Sequence, residues 1–336
     1  MSDPATVLVL GARGRLGAAV TRAFAQAGWQ VAAQVRPGAG SLPVIPNVRW
    51  VQALPWETEP LAQAAGHAPV VVQGLSPAYT HPAWRRDWPR LAEAGIAIGR
   101  RLGATLMLPG NVYNYGRAMP AVLREDTPQQ ADTVKGRIRV QLERQLAEAT
   151  ADGSLRAVVL RAGDFYGAGT GTLLDLVVAK TLPQGRVSWP AARMDVATPW
   201  AYLPDLARAF VAVARCREAL APFDTLHFAG HAATGADWVA ALTRTACEAG
   251  WLAPDGTLRV SHLPWPLLRL AGLAVPTLAA VSEMRYLWQT PHRLDDSRLR
   301  VLTGPLPATP FAQAVREAVA ALGLASPTPA AARAAV

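Results

Sequence analysis

The chain is poor in cysteine, in charge and in clusters of basic residues. Its two cysteines, Cys216 and Cys247, are too few for a disulfide framework, which excludes a small disulfide-stapled scaffold. Asp, Glu, Lys and Arg make up 17% of the 336 residues. An average globular chain carries about 25%, so the deficit excludes a highly charged disordered protein. Basic residues outnumber acidic ones 33 to 24, for a net charge of +9. They are mostly single arginines among apolar neighbours, so no nucleic-acid partner is expected. The opening Met1-Ser2-Asp3-Pro4 lacks the basic region of a signal peptide, and a cytoplasmic location is expected. The most hydrophobic later stretch, Leu263 to Val281, is broken by Arg269 and three prolines. It makes a poor membrane span, and no membrane partner is expected. The histidines show no metal-ligand spacing; His227 and His231 stand on a strand and a turn rather than one helix face.

What is abundant is apolar sequence, 51% of the chain. Short apolar runs near 6–10, 30–35, 48–51, 69–73, 104–108, 155–160 and 225–229 read as strands. Between them, 16–27, 88–102, 135–149 and 204–214 read as helices. This alternation predicts an α/β fold with a doubly wound parallel sheet of Rossmann type, covered by helices on both faces. Beyond residue 165 prolines and tryptophans become frequent and the rhythm loosens. Residues 1–165 are therefore expected to bind a dinucleotide, and 166–324 to form mostly a smaller substrate-binding subdomain. The Pro/Ala-rich 325–336 is expected to be a disordered tail.

The chemistry starts at Gly11-Ala12-Arg13-Gly14-Arg15-Leu16-Gly17, a GxxGxxG turn between the first strand and its helix. Glycines there let the backbone approach a diphosphate, which the helix N-terminus attracts. Sites for NAD place an acid at the end of the second strand, for the ribose 2′-hydroxyl. Here that region reads Ala32-Ala33-Gln34-Val35-Arg36, with no acid, and Arg13 and Arg15 project from the loop. Three guanidinium groups suit a 2′-phosphate, so NADP(H) is expected in preference to NAD(H).

Further segments extend the pattern: Val70-Val71-Val72-Gln73-Gly74, Asn111-Val112-Tyr113-Asn114-Tyr115-Gly116, Lys135, and Arg161-Ala162-Gly163-Asp164-Phe165-Tyr166-Gly167. Tyr202 to Ala207, Leu294 to Arg298 and Thr309-Pro310 continue it. In this order they resemble the short-chain dehydrogenase/reductase superfamily, in its extended (epimerase/dehydratase) or an atypical branch. The resemblance implies that Gly74 and Leu75 line the cofactor, that Lys135 contacts the nicotinamide ribose and that the segment after Gly163 packs by the nicotinamide. It also implies a small-molecule substrate under the C-terminal part and a homodimer.

One departure bears on catalysis. Where the family carries Tyr-x-x-x-Lys, Ala131 stands four residues before Lys135 and cannot transfer a proton. The usual serine is replaced by Pro109, Gly110 or Asn111. Candidates for the proton are Tyr113 and Tyr115, beyond a strand end, and Lys135 itself. Lys135, Arg139 and Glu143 share a helix face, where they read either as a surface ion-pair ladder or as a desolvated amine of lowered pKa. Asn111 can donate a hydrogen bond. Tyr79, Trp84 and Tyr166 are expected to line the substrate pocket. The expected function is an NADP(H)-dependent oxidoreductase; a nucleotide-sugar epimerase or dehydratase, and a non-catalytic NADP-binding sensor, are the alternatives.

Overall fold

The structure, a computed structural model, describes residues 5–169 and 171–325. The first strand β1 (Thr6–Leu10) leads through the glycine turn into α1 (Arg15–Gln26) and β2 (Gln30–Val35). Then come β3 (Val48–Gln52), α2 (Thr58–Ala65), β4 (Val70–Gln73), α3 (His81–Leu102) and β5 (Thr105–Gly110). They are followed by β6 (Val122–Leu123), α4 (Val134–Ala149), β7 (Arg156–Ala162) and β8 (Asp164–Tyr166). The second half holds β9 (Arg186–Trp189), β10 (Thr198–Tyr202), α5 (Leu203–Arg215), β11 (Phe223–Phe228), β12 (His231–Ala233) and α6 (Gly235–Glu248). It closes with β13 (Arg259–His262), α7 (Trp265–Ala271), α8 (Pro276–Glu283), β14 (Arg293–Leu294), α9 (Ser297–Thr303) and α10 (Phe311–Ala320).

Seven strands form one parallel sheet in the order β3-β2-β1-β4-β5-β7-β11. The order reverses between β1 and β4, and a crevice opens at the carboxyl ends of strands at such a switch point. Alternate residues of β1 explain the layering. Val7 and Val9 face a core with Phe24 of α1 and Phe210 of α5, whereas Leu8 and Leu10 face Leu61 of α2 and Trp84 of α3. The sheet lobe is not confined to the first half of the chain. After β10 the polypeptide returns to it as α5 and β11, and β11 pairs with β7 along its whole length. Residues 326–336, most of the expected tail, lie outside the described residues.

One helix differs from expectation. α3 starts at His81, not near Trp88, and runs through Pro89. Thr80 caps it, its hydroxyl oxygen accepting from the Ala83 N–H at 3.3 Å. Pro89 sits on the exposed side while Trp84, Trp88 and Ala92 anchor the buried face, and this packing overrides the break. The smaller lobe is held by aromatics: Trp200 meets Trp238 edge-on at 4.8 Å, and Tyr166, Tyr202 and Trp189 pack around them.

Candidate active site

The glycine turn is built as a cradle. Gly11 has φ +70°, and a Cβ there would lie 2.9 Å from the Leu75 side chain. The Gly14 N–H donates to the Gly11 carbonyl at 2.8 Å and closes the turn. A Cβ on Gly17 would fall 2.1 Å from the Gly11 oxygen, so α1 rests directly on the loop. α1 carries no acid in its first turn and no side-chain cap, which leaves first-turn N–H groups facing outward for an anion. Gln34, buried at the end of β2, braces the loop. Its carbonyl oxygen accepts from the Gly11 N–H at 2.8 Å, and its amide donates to the Ala53 carbonyl at 2.6 Å. Sequence reasoning gave Gln34 no role; its signal was a polar residue inside an apolar strand.

A cleft of about 1010 Å³ opens beside the cradle, lined among others by Gly14, Arg13, Arg36, Leu75 and Trp56. Arg13 is pinned by a hydrogen bond from its guanidinium to the Ala39 carbonyl. Arg36 is exposed at the cleft wall. Neither makes an ion pair among the described residues. Arg15 does not join them: it reaches to the carbonyl of Gly171, on the other lobe. Two of the three expected arginines thus line the cleft. On its outer wall the Arg90 guanidinium sits 3.6 Å from the Trp56 ring centre. The residues present fit the diphosphate and adenosine end of a dinucleotide.

The other end is closed. Lys135, in the first turn of α4, is 0% exposed. Its Nζ donates to the Ala280 carbonyl of α8 at 2.5 Å and lies 3.5 Å from the Glu283 carboxylate. It also stands 4.4 Å from the Tyr79 ring centre and 5.8 Å from that of Trp84. Burial lowers its pKa to about 8, against the pull of Glu283. Glu283 is the hub of this closure, since it also accepts from the Val134 N–H at 2.5 Å and bonds to His81 Nε2 at 2.9 Å. Tyr113 joins the group, its hydroxyl 3.1 Å from that of Tyr79 and its ring stacked near Trp84. Burial raises the pKa of both phenols, and the Asp164 charge adds to the rise. Burial, the largest cause, pushes Tyr113 to about 12. Asp164 is itself raised by burial to about 6, although the Trp288 indole N–H donates to it at 2.6 Å.

Other expected site residues lie apart. Tyr115 is 1% exposed and belongs to a buried polar network. Its hydroxyl accepts from Arg161 at 2.5 Å and shares a hydrogen bond of 2.8 Å with His227 Nε2. Arg161 is paired with Glu143. The helix face of Lys135, Arg139 and Glu143 is therefore no surface ladder. All three are buried, each beside a different partner, with Arg139 lying 4.3 Å over the Trp88 ring. Asn111 accepts from the Tyr113 N–H at 3.1 Å and shapes the turn that carries Tyr113. Tyr166 is 0% exposed, with its hydroxyl on His231 Nδ1 at 2.8 Å, inside the aromatic core of the smaller lobe. Leu16 is core, and Gly163 lets β8 approach β10, where a Cβ would meet the Pro199 oxygen at 1.9 Å. Gly74 likewise packs against the loop, 2.8 Å from the Leu10 oxygen by the same measure. Ala131 lies in the irregular segment before α4, which Thr133 caps. The roles of Glu283 and Asp164 were missed; Asp164 was visible only as part of a motif.

No family model and no curated protein sequence matches the chain. Solved structures do. UDP-glucose 4-epimerase from Brucella ovis, in complex with NAD, has a TM-score of 0.73 at 15% identity and covers 96% of this chain and 99% of its own. The Bordetella bronchiseptica enzyme WbmH, in complex with NAD+, has 0.69 at 18%, covering 95% and 98%. UDP-glucose 4-epimerase from Thermotoga maritima, with UDP-glucose, has 0.69 at 14%, covering 94% and 98%. The chain therefore shares, over nearly all its length, the Rossmann-type fold of these epimerase structures.

Proposed function

We propose that this protein binds NADP(H) and acts as an oxidoreductase on a small molecule held between its two lobes. The observation that carries the reading is the capless glycine cradle opening on a cleft with two guanidinium groups, of Arg13 and Arg36, that make no ion pair among the described residues. The structures of similar fold solved with NAD support a nicotinamide dinucleotide. The missing acid at the end of β2, with Arg13 and Arg36 beside it, favours a 2′-phosphate on that dinucleotide. When bound, the nicotinamide supplies or accepts the hydride.

The protein's own part is to hold and to move a proton. Gly11, Gly14 and Gly17 admit the diphosphate, and Leu75 forms an apolar wall. Lys135 takes the ribose-side role only after Ala280 and Glu283 release it. Of the proton-transfer candidates, Lys135 has the more suitable pKa, near neutrality, whereas Tyr113 is held too high to ionise. Ala131 disfavours the epimerase reading, because the resemblance assigns that chemistry to a tyrosine.

The test is a fluorescence titration with NADPH and NADH, followed by a panel of carbonyl substrates. NADPH is expected to bind at least about tenfold more tightly, as one phosphate–arginine contact implies. Equal or tighter binding of NADH overturns the cofactor preference, and binding of neither overturns the whole reading. A second reading, a non-catalytic NADP-binding sensor, is favoured by one observation, the complete burial of Lys135. Tight NADPH binding without turnover across the panel, unchanged in Lys135→Ala, would establish it. An oxidoreductase instead loses its rate in that variant.

A further inference from the structure

The hydrophobic stretch that failed as a membrane span folds into a feature the proposed function does not use. α7 and α8 form a helical hairpin whose inner end, at Ala280 and Glu283, covers Lys135. Its outer end is apolar and bare. Leu267, Leu270, Leu273 and Val275 are 65%, 66%, 85% and 44% exposed. With Val260 on the adjoining β13, they account for five of the nine large exposed hydrophobics among the described residues. Single exposed leucines are ordinary, but a cluster of this kind marks a contact surface.

The two helices of the hairpin are closely packed. Gly272 brings the two helices together, since a Cβ there would lie 2.9 Å from the Ala279 nitrogen. Pro266 and Pro276 occupy the first turns of α7 and α8, where they favour helix.

Charge chooses the occupant. From Thr257 to Ser282 there is no Asp or Glu, while Arg259, His262 and Arg269 are all exposed. Arg285, at the foot of the hairpin, lies over the Trp265 ring. An apolar tip on a hairpin that carries Arg269, with Arg259 and Arg285 flanking it and no acid from Thr257 to Ser282, matches the boundary between headgroups and acyl chains of an anionic bilayer. A second copy fits less well. A stable dimer buries about 800 Å² on each partner, more than one small hairpin end presents, and a twofold contact centred on the tip would oppose the two Arg269 side chains. Among the described residues no helix is long and apolar enough to cross a membrane, so the contact would be a surface one.

We infer that the α7–α8 hairpin is a membrane-surface anchor that seats its leucines in anionic lipid. This departs from the expectation of no membrane partner, because Arg269 and the prolines that break a membrane span do not prevent a surface contact. The experiment sediments the full-length protein with phosphatidylglycerol/phosphatidylcholine vesicles and with phosphatidylcholine vesicles, at low and high salt. Binding to the anionic vesicles is expected, weakening with salt. The double variant Leu270→Glu/Leu273→Glu should lose about a hundredfold in partitioning, and Arg269→Glu about tenfold. Both changes are on the surface, and an unaltered unfolding midpoint shows that the fold is intact. Three outcomes overturn the inference: no binding of the wild type to anionic vesicles; binding retained by the leucine variant, which would place it on the overall positive charge; or a wild-type dimer in sedimentation equilibrium that the leucine variant dissolves. The readout does not depend on cofactor or turnover, so it stands apart from the proposed function.

Discussion

The two ends of the candidate cofactor site are built on opposite principles. The adenosine end is open: glycines, bare helix N–H groups and arginines without acidic partners surround a cleft of about 1010 Å³. The lysine end is shut, with every direction around Lys135 taken by Ala280, Glu283, Tyr79 and Trp84. The open end is centred on one β-α-β unit, and Leu75, Trp56 and Arg90 from the elements that follow complete its walls. The shut end is assembled from segments far apart in sequence. A site read from local motifs is thus half a site, and the distant half decides when the cationic group is available.

Four measurements bear on this contrast. The largest effect is expected from Gly17→Ala, whose Cβ would enter the space of the Gly11 oxygen 2.1 Å away. NADPH binding should fall by more than about a hundredfold, and stability by roughly 1–3 kcal/mol, measured by titration and thermal melting. Binding kept at wild-type strength would remove the cradle from the argument. Next, Arg13→Ala/Arg36→Ala should weaken NADPH by roughly 30–100-fold and leave NADH within about threefold, from the typical worth of a charge-assisted hydrogen bond. Equal losses for both cofactors would mean that the arginines serve the fold and not the phosphate.

The shut end is probed by lysine acylation and mass spectrometry, since the chain contains only Lys135 and Lys180. Lys180 is exposed and should label at once. Lys135 should be protected in the wild type and label about tenfold faster in Glu283→Gln, as its burial requires a local opening. Equal rates in the two proteins would show that Glu283 does not hold the closure. The smallest effect is expected from Asp164→Asn, which keeps an acceptor for Trp288. The folded state raises the Asp164 pKa to about 6, so it holds the proton more tightly than the unfolded chain does. The resulting penalty is present above that pH and vanishes below the ordinary carboxylate range. The variant should gain about 1 kcal/mol at pH near 7.5, the shift being discounted because Asp164 is only half-buried, and nothing below pH about 3, by denaturant midpoints.

The sheet lobe was legible because its strands are nearly unbroken apolar runs, and both faces of a parallel sheet must be buried. The glycine turn was legible because much of its constraint is local: Gly11 holds a positive φ, and a Cβ on Gly17 would meet the Gly11 oxygen. α3 was misread at its start because Pro89 looks like a break until Trp84 and Trp88 are seen to anchor the helix on both sides of it. Tyr113 and Tyr115 looked equivalent two residues apart. One turn of 3-10 helix sends the first to Tyr79 and the second to Arg161 and His227. Glu283 could not be found from sequence, since a carboxylate closing a helix 149 residues upstream leaves no spacing to detect.

The hydrogen bond from Lys135 to Ala280 also sets a timetable. If the proposed cofactor binds with its phosphorylated adenosine in the open cleft, its far half would reach Lys135 only once α8 moved away. Capture would then be biphasic, a concentration-dependent first step followed by a slower one whose speed belongs to the protein alone. Whatever grips the outer tip of the same hairpin would reset that second clock.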